Sequence, residues 1–183
     1  MCSSSRRPSP SRQESAIKQL IVIRHAKSSW EDPGLKDIDR PLNPRGQRDA
    51  PVMGGVLRDA GRVPDVLLCS PAVRARMTAR AIAATAGLSD DRIQVADRLY
   101  GFGLNGLLKV IEALEARWDR VALIGHNPDL TALVEYLTGE RVVHLPTCSL
   151  TGIEWAVDDW EHLMPGAGRA FFYDDPKRHR AAS

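Results

Sequence analysis

Basic and histidine side chains follow the first apolar run of the sequence. The run LIVI (20–23) leads directly into Arg24 and His25, and Lys27 follows two positions later. A guanidinium binds phosphate oxygens through paired hydrogen bonds, and a neutral imidazole can attack phosphorus. This stretch indicates either a strand that runs out into solvent or an anion site that contains a nucleophile.

Two further apolar runs end in matching residues. The segment CSPAVRA (69–75) supplies Ser70 and Arg74, and GHNP (125–128) supplies His126 before a proline that can begin a helix. In an α/β protein the carboxyl ends of parallel strands meet at one edge, beside helix N-termini that attract anions. Two arginines and two histidines are therefore expected in one pocket. That set suits phosphoryl transfer, in which one imidazole attacks phosphorus and the other stabilises the phosphoryl oxygens, with no metal required.

The elements that position these residues alternate between short apolar runs and amphipathic stretches. The apolar runs predict strands, and the amphipathic stretches between them predict helices. The strands are 19–24, 65–70, 92–96, 121–126, 150–157 and 169–174, and the helices are 44–60, 72–86, 105–118 and 128–138. Pro51 and the Gly54-Gly55 pair suggest that the first helix starts late or kinks. The fold class is α/β: a three-layer sandwich, with a mostly parallel central sheet and helices on both faces.

Composition limits the class of protein. The chain has 183 residues, 43% of them hydrophobic, which suits one domain. A net charge of +2 gives no global field that would favour nucleic acid or an anionic membrane. Three cysteines without a CxxC pair argue against a disulfide framework or a structural zinc site and favour the cytoplasm.

The two ends of the sequence differ from its middle. Residues 1–16 are rich in Ser, Arg and Pro, and residues 175–183 are dominated by polar and charged residues, so both are predicted to be disordered tails around one domain at 17–174. An organelle transit peptide is an alternative interpretation of the first segment. No run reaches the roughly 18 apolar residues that a membrane-spanning helix needs.

Four motifs in order carry a family resemblance. RHAKSSW (24–30), DRPLNPRG (39–46), SPAVRARMTA (70–79) and GHNP (125–128) together resemble the histidine phosphatase superfamily, and within it the small SixA-like phosphohistidine phosphatases. The resemblance covers about residues 18–160 and implies a phosphoglycerate mutase-like fold without a cofactor. It implies that His25 is the nucleophile, that Arg24 and Arg74 bind the phosphoryl group, and that His126 completes the pocket. Lys27 and Asn127 are further candidates for substrate binding.

The chain departs from the family pattern at one point. Many members carry a carboxylate general acid after the third strand, where this chain reads LYGFGLNG (99–106) without Asp or Glu. An alkoxide leaving group needs such an acid, whereas the imidazole of a phosphohistidine can leave already protonated. A carboxylate from the first loop could still reach the site, and Asp39 is the candidate chosen among Glu31, Asp32, Asp37 and Asp39.

The expected function is a metal-independent phosphatase that acts through a phosphohistidine on His25, with protein phosphohistidine as the leading substrate. A phosphomonoesterase acting on a small metabolite or sugar phosphate is the nearest alternative. A non-catalytic module that binds phosphorylated partners is the alternative from another class. The sequence predicts no nucleic-acid or membrane partner, and it is silent on oligomeric state.

Three other patterns have weaker support. GFGLNG (101–106) matches a dinucleotide fingerprint, but the preceding segment is charged and no acidic residue ends a strand about 20 positions later. A zinc site from His25, His126 and His144 has no supporting spacing. Cys69 and Arg74 are one residue too close for a cysteine phosphatase loop, so Cys69 is interpreted as a small buried residue.

Overall fold

The central sheet has six strands in the order β3-β2-β4-β1-β5-β6. The structure is a computed structural model that describes residues 16–180. The strands are β1 (Ile17–Arg24), β2 (Val66–Cys69), β3 (Ile93–Val95), β4 (Arg120–Gly125), β5 (Leu150–Ala156) and β6 (Arg169–Asp174). The first four are mutually parallel, and β5 and β6 add two antiparallel pairings at one side. The predicted mostly parallel sheet is confirmed.

Four helices cover the two faces of the sheet, as a three-layer sandwich requires. They are α1 (Pro44–Asp59), α2 (Val73–Ala86), α3 (Gly103–Glu112) and α4 (Asp129–Thr138). Alternate residues of β1 divide between the two cores: Leu20 and Val22 pack with α3 and α4, whereas Ile21 and Ile23 pack with α1 and α2. Short 3-10 helices span Asp37–Asp39, Asp90–Arg92, Asp97–Leu99 and Pro176–His179.

The first helix is continuous from Pro44 to Asp59, so the predicted late start is wrong. It begins at Pro44, where the side chain of Asn43 accepts a hydrogen bond from the Gly46 amide, and it runs through Pro51 to Asp59. Gly54 faces α2, where a Cβ would overlap Thr85 and the backbone of Ile82. This glycine therefore allows close packing of α1 against α2 and does not end the helix.

Two other boundaries differ from the prediction. α3 ends at Glu112 and not at residue 118, and the following turn brings the carbonyl oxygens of Ala116 and Trp118 to the buried ammonium of Lys18. The packed chain also continues past residue 174, because the 3-10 helix Pro176–His179 contacts α1 and Arg180 pairs with Asp49. The tail predictions for 1–15 and 181–183 lie outside the described residues.

Candidate active site

Three neighbouring strands bring the predicted residues to one edge of the sheet. β2, β4 and β1 are adjacent, and their last residues are in register, with Arg24 opposite Gly125 and Cys69 opposite Ile124. The residues that follow these ends therefore meet. The ring centroids of His25 and His126 are 4.9 Å apart, and Arg74, in the first turn of α2, contacts both rings.

His25 has its two ring nitrogens in different environments. Nδ1 lies 2.8 Å from the carbonyl oxygen of Ala26, which can only accept, so the hydrogen-bond network assigns the ring proton to Nδ1. Nε2 then carries the lone pair, and the Nε–H group of Arg74 points to it at 3.4 Å. Burial, assisted by the nearby positive charges, lowers the pKa of His25 to about 3. The ring is therefore unprotonated at neutral pH, as the predicted nucleophile must be.

Helix α2 fixes the loop that carries His25. The amide of Ala26 donates to the hydroxyl of Thr78 at 3.0 Å, and that hydroxyl donates to the carbonyl oxygen of Arg74 at 2.7 Å. Ala26 and Thr78 are fully buried. These two hydrogen bonds thus couple the segment that carries His25 to the helix that carries Arg74.

His126 is oriented by Ser70. Its Nε2 lies 2.7 Å from the fully buried Ser70 hydroxyl, and its Nδ1 lies 3.3 Å from Arg74, which can only donate. Neutral His126 therefore holds its proton on Nε2. Burial, followed by the charge of Arg74, lowers the pKa of His126 to about 4. The predicted donation to a phosphoryl group requires a second proton on Nδ1, and a bound dianion would favour it.

Arg74 forms an ion pair that the sequence did not assign. The Asp37 carboxylate accepts a hydrogen bond from Arg74 at 2.8 Å, from Arg40 at 2.8 Å and from the Tyr100 hydroxyl at 2.9 Å. Burial raises the pKa of Asp37, but the hydrogen bonds from Arg74, Tyr100 and Arg40 outweigh it and lower that pKa to about 2. The structure thus places Asp37, and not the chosen Asp39, against the site, because within residues 16–180 the carboxylate paired with Arg74 is that of Asp37.

Tyr100 is a site residue that sequence reasoning missed. It lies in the loop inspected for a carboxylate, and its ring packs edge-on against His126 with centroids 5.3 Å apart. Gly101 and Gly103 beside it have positive φ angles of 80° and 62°, which glycine adopts without strain. Inspection of that loop for any proton-bearing side chain, and not for Asp or Glu alone, would have found Tyr100.

Arg24 and Asn127 meet on the other side of the pocket. Arg24 donates to the carbonyl oxygen of Leu145 at 2.7 Å and lies 3.4 Å from the ring of His144, while the Asn127 amide nitrogen donates to the same carbonyl at 3.3 Å. Within residues 16–180, Arg24 Nε and Asn127 Oδ1 are buried without a partner. An unpaired guanidinium donor beside two histidines fits an anionic ligand.

The structure also locates Lys27, Cys69 and the residues of the zinc alternative. The side chain of Lys27 is exposed, and its carbonyl oxygen accepts from the Asn43 amide, so the backbone of Lys27 makes the structural contact. Burial raises the pKa of the Cys69 thiol to about 11, which agrees with its interpretation as a buried residue. The zinc alternative is not formed, since no three metal-ligating side chains converge within the described part of the chain.

Comparisons with known proteins fit this geometry. The family model of the histidine phosphatase superfamily (branch 1) matches residues 20–103. The protein Rv1276c of Mycobacterium tuberculosis is 33% identical over 165 residues, which cover 85% of this chain and all of that protein. The chain belongs to the histidine phosphatase superfamily.

Two solved structures resemble this histidine phosphatase. A protein of Agrobacterium tumefaciens assigned as the phosphohistidine phosphatase SixA is 29% identical, with a TM-score of 0.73 over 87% of this chain and 99% of that chain. A mycobacterial glucosyl-3-phosphoglycerate phosphatase shares the fold at 19% identity, with a TM-score of 0.60 over 84% of this chain and 97% of that chain. The comparisons support a phosphatase and leave the substrate class open.

Two surface findings complete the comparison with the sequence. Trp30 is exposed and stacks on Arg40, whereas Trp155 and Trp160 are buried. Among residues 16–180, no helix is long and apolar enough to cross a membrane.

Proposed function

We propose that this histidine phosphatase removes a phosphoryl group from protein phosphohistidine through a covalent intermediate on His25. The observation that carries the proposal is the state of His25: Nδ1 is held by the Ala26 carbonyl, and Nε2 keeps its lone pair 3.4 Å from the Arg74 guanidinium. The proposed nucleophile, His25 Nε2, and a phosphate-binding group, the guanidinium of Arg74, are therefore close enough to contact the same phosphoryl group.

In the first step the lone pair of His25 Nε2 forms a bond to phosphorus, and the phosphorus–nitrogen bond of the substrate breaks. The leaving imidazole keeps the electron pair of that bond and departs as a neutral ring when its other nitrogen is already protonated. Arg24 and Arg74 offset the charge of the phosphoryl oxygens. Because His25 retains its proton on Nδ1, the Ala26 carbonyl stabilises the positive charge that the phosphorylated ring acquires.

In the second step water attacks phosphorus, and the electron pair of the phosphorus–nitrogen bond returns to His25 Nε2. One proton of the water remains on the phosphate product and the other is released to solvent. Nδ1 keeps its proton throughout, so His25 ends in its starting state. The two arginines supply the charge stabilisation, and we propose that the reaction requires no metal ion.

The ionisation state of the carboxylate at the site indicates which kind of leaving group the substrate has. Within the described residues, Asp37 is the carboxylate bonded to Arg74, and its pKa of about 2 keeps it ionised at neutral pH. An ionised carboxylate cannot donate the proton that an alkoxide needs, whereas a phosphoramidate needs none from the enzyme. This difference favours phosphohistidine over the alternative substrate, a small metabolite phosphomonoester.

The test is a substrate panel with wild type, His25→Ala and the control His162→Ala, which removes an exposed histidine paired with Asp159. A phosphohistidine peptide, phosphoramidate and an aryl phosphate are compared, and acid-quenched wild type is probed for labelled phosphate with the acid lability of phosphohistidine. We expect the two phosphorus–nitrogen substrates to be turned over faster than the ester. His25→Ala should lose turnover and labelling, and His162→Ala should keep both.

Other outcomes would decide against parts of the proposal. Undiminished turnover by His25→Ala would exclude the covalent mechanism. Preference for the ester would favour the metabolite alternative, and binding of the peptide without phosphate release would favour a phosphate-binding module. Loss of activity after dialysis against a chelator, with recovery on adding a metal, would contradict metal independence. A cytoplasmic location stays a prediction that cell fractionation would test.

A further inference from the structure

A groove between α4 and the strands β5 and β6 adjoins the phosphate site. It has a volume of about 370 Å³, and its apolar wall is formed by Val134, Val142, Leu145, Phe171 and Tyr173. This volume and apolar lining are typical of pockets that bind small organic groups. The proposed chemistry at His25 does not use the groove.

Two residues belong to both the groove and the phosphate site. His144 lines the groove, and its Nε2 lies 3.4 Å from the guanidinium of Arg24. Leu145 also lines the groove, and its carbonyl oxygen accepts from the same guanidinium at 2.7 Å. A phosphoryl group at Arg24 and an apolar group in the groove would thus be close enough to belong to one molecule.

One polar group in the groove lacks a partner. Thr151 lines it and is 7% exposed as a residue, and within residues 16–180 its buried Oγ1 has no hydrogen-bond partner. Burial of a hydroxyl without a hydrogen bond is costly, so this oxygen fits an occupant that brings a polar group with its apolar surface. A peptide has this combination, because each side chain is attached to backbone donors and acceptors.

We propose that the groove binds an apolar side chain close to the phosphohistidine in the substrate protein, with Thr151 hydrogen-bonded to the peptide. The inference rests on the proposed function, since it assumes a phosphohistidine peptide at Arg24. It adds a determinant of specificity: substrates with a large apolar residue at one position near the phosphohistidine are preferred, whereas a free phosphate donor gains nothing from the groove.

The test uses phosphohistidine peptides with serine at two positions on either side, each serine replaced in turn by leucine. For wild type we expect leucine at one position to raise kcat/KM roughly tenfold, mainly through KM. Val142→Asp places a charge in the groove and should abolish this preference. Val143→Asp is the matched control, because Val143 is the next residue and is fully exposed. Phosphoramidate turnover should be equal in all three proteins.

Two further variants control for misfolding and test the role of the Thr151 hydroxyl. Val142→Thr is nearly isosteric, so its melting temperature should equal that of wild type, and it should still reduce the preference for leucine. It therefore separates loss of binding in the groove from misfolding caused by the charge in Val142→Asp. Thr151→Val should raise KM for the preferred peptide severalfold and leave phosphoramidate unaffected.

The possible failures are distinguishable. Equal kcat/KM for the serine peptide and all leucine peptides in wild type would overturn the groove proposal and leave the proposed function intact. Equal loss of preference in Val142→Asp and Val143→Asp would also overturn it. Hydrolysis of the aryl phosphate without cleavage of any phosphohistidine peptide would instead contradict the proposed function.

Discussion

Acidification from pH 8 to pH 5 should destabilise the folded protein through His25 and His126, the two buried histidines of the candidate active site. Burial lowers the pKa of His25 to about 3 and that of His126 to about 4, from 6.5 for an ordinary histidine. Between these pKa values the unfolded chain therefore binds up to two more protons than the folded chain. Because the unfolded state binds more protons, the free energy of unfolding falls as the pH falls.

The magnitude follows from the same pKa values. At pH 5 an unfolded histidine is about 1.5 pH units below its pKa, and both folded rings are still largely neutral, so each costs about 2 kcal/mol and the pair about 4 kcal/mol. This is a large share of the roughly 5–15 kcal/mol that stabilises a typical domain. The carboxylates with lowered pKa values, Asp37 and Asp175, lose their contribution only at lower pH.

The assay is urea denaturation at pH 8, 7, 6 and 5 in buffers without phosphate, because phosphate would bind the site. Wild type is compared with His25→Asn, His126→Asn and the double variant. Each single variant should lose about half of the pH dependence, and the double variant nearly all of it. A wild-type stability that is flat between pH 8 and pH 5, or an unchanged slope in the double variant, would refute the neutral, buried state assigned to both rings.

Three further predictions concern the groups around the histidines. Asp37 competes with a bound anion for Arg74, so Asp37→Asn should lower the inhibition constant of vanadate. The decrease should be up to about fivefold, since a half-exposed carboxylate contributes at most about 1 kcal/mol to its ion pair with Arg74. Weaker inhibition would show instead that Asp37 positions Arg74 for the anion. Ser70→Ala removes the buried hydroxyl that accepts from His126 Nε2. It should lower the free energy of unfolding, measured by urea denaturation, by about 1–3 kcal/mol and should also lower kcat. An unchanged stability and kcat would contradict that hydrogen bond. Gly46→Ala should lower the free energy of unfolding by about 1–3 kcal/mol, because the new Cβ would overlap the carbonyl oxygen of Lys27. Gly55→Ala in the same helix meets nothing nearer than 3.8 Å and should raise it by about 0.5–1 kcal/mol. Equal effects of the two substitutions would refute the close approach of Gly46 to Lys27.

The fold was largely predictable from the sequence because its signals are local. The runs at β1, β2 and β4 are apolar on both faces, as buried parallel strands must be, and the intervening amphipathic stretches form the helices. Gly54 misled the prediction because glycine usually weakens a helix, whereas here it lets α2 approach. That approach depends on Ile82 and Thr85 in the partner helix, 28 and 31 residues further along the chain, which no local pattern describes.

The arginines and histidines of the candidate site could be predicted from the sequence, whereas the carboxylate beside them could not. Arg24, His25, Ser70 and His126 follow strand ends, and the rule that parallel strand ends share an edge brings them together. The choice between Asp37 and Asp39 could not be made in this way. Residues two apart on a 3-10 turn point in different directions, so the orientation of that turn against α2 decides which carboxylate meets Arg74.

The sequence by itself determined the type of chemistry, because residue identity fixes which groups can bind phosphate and attack phosphorus. It also determined where along the chain those groups occur. Only the tertiary structure decided their protonation and their neighbours: the lone pair on His25 Nε2 depends on the Ala26 carbonyl and on burial, and the ionised state of Asp37 depends on Arg74 and Tyr100. These properties arise from distances and solvent exclusion, which exist only once the chain is folded.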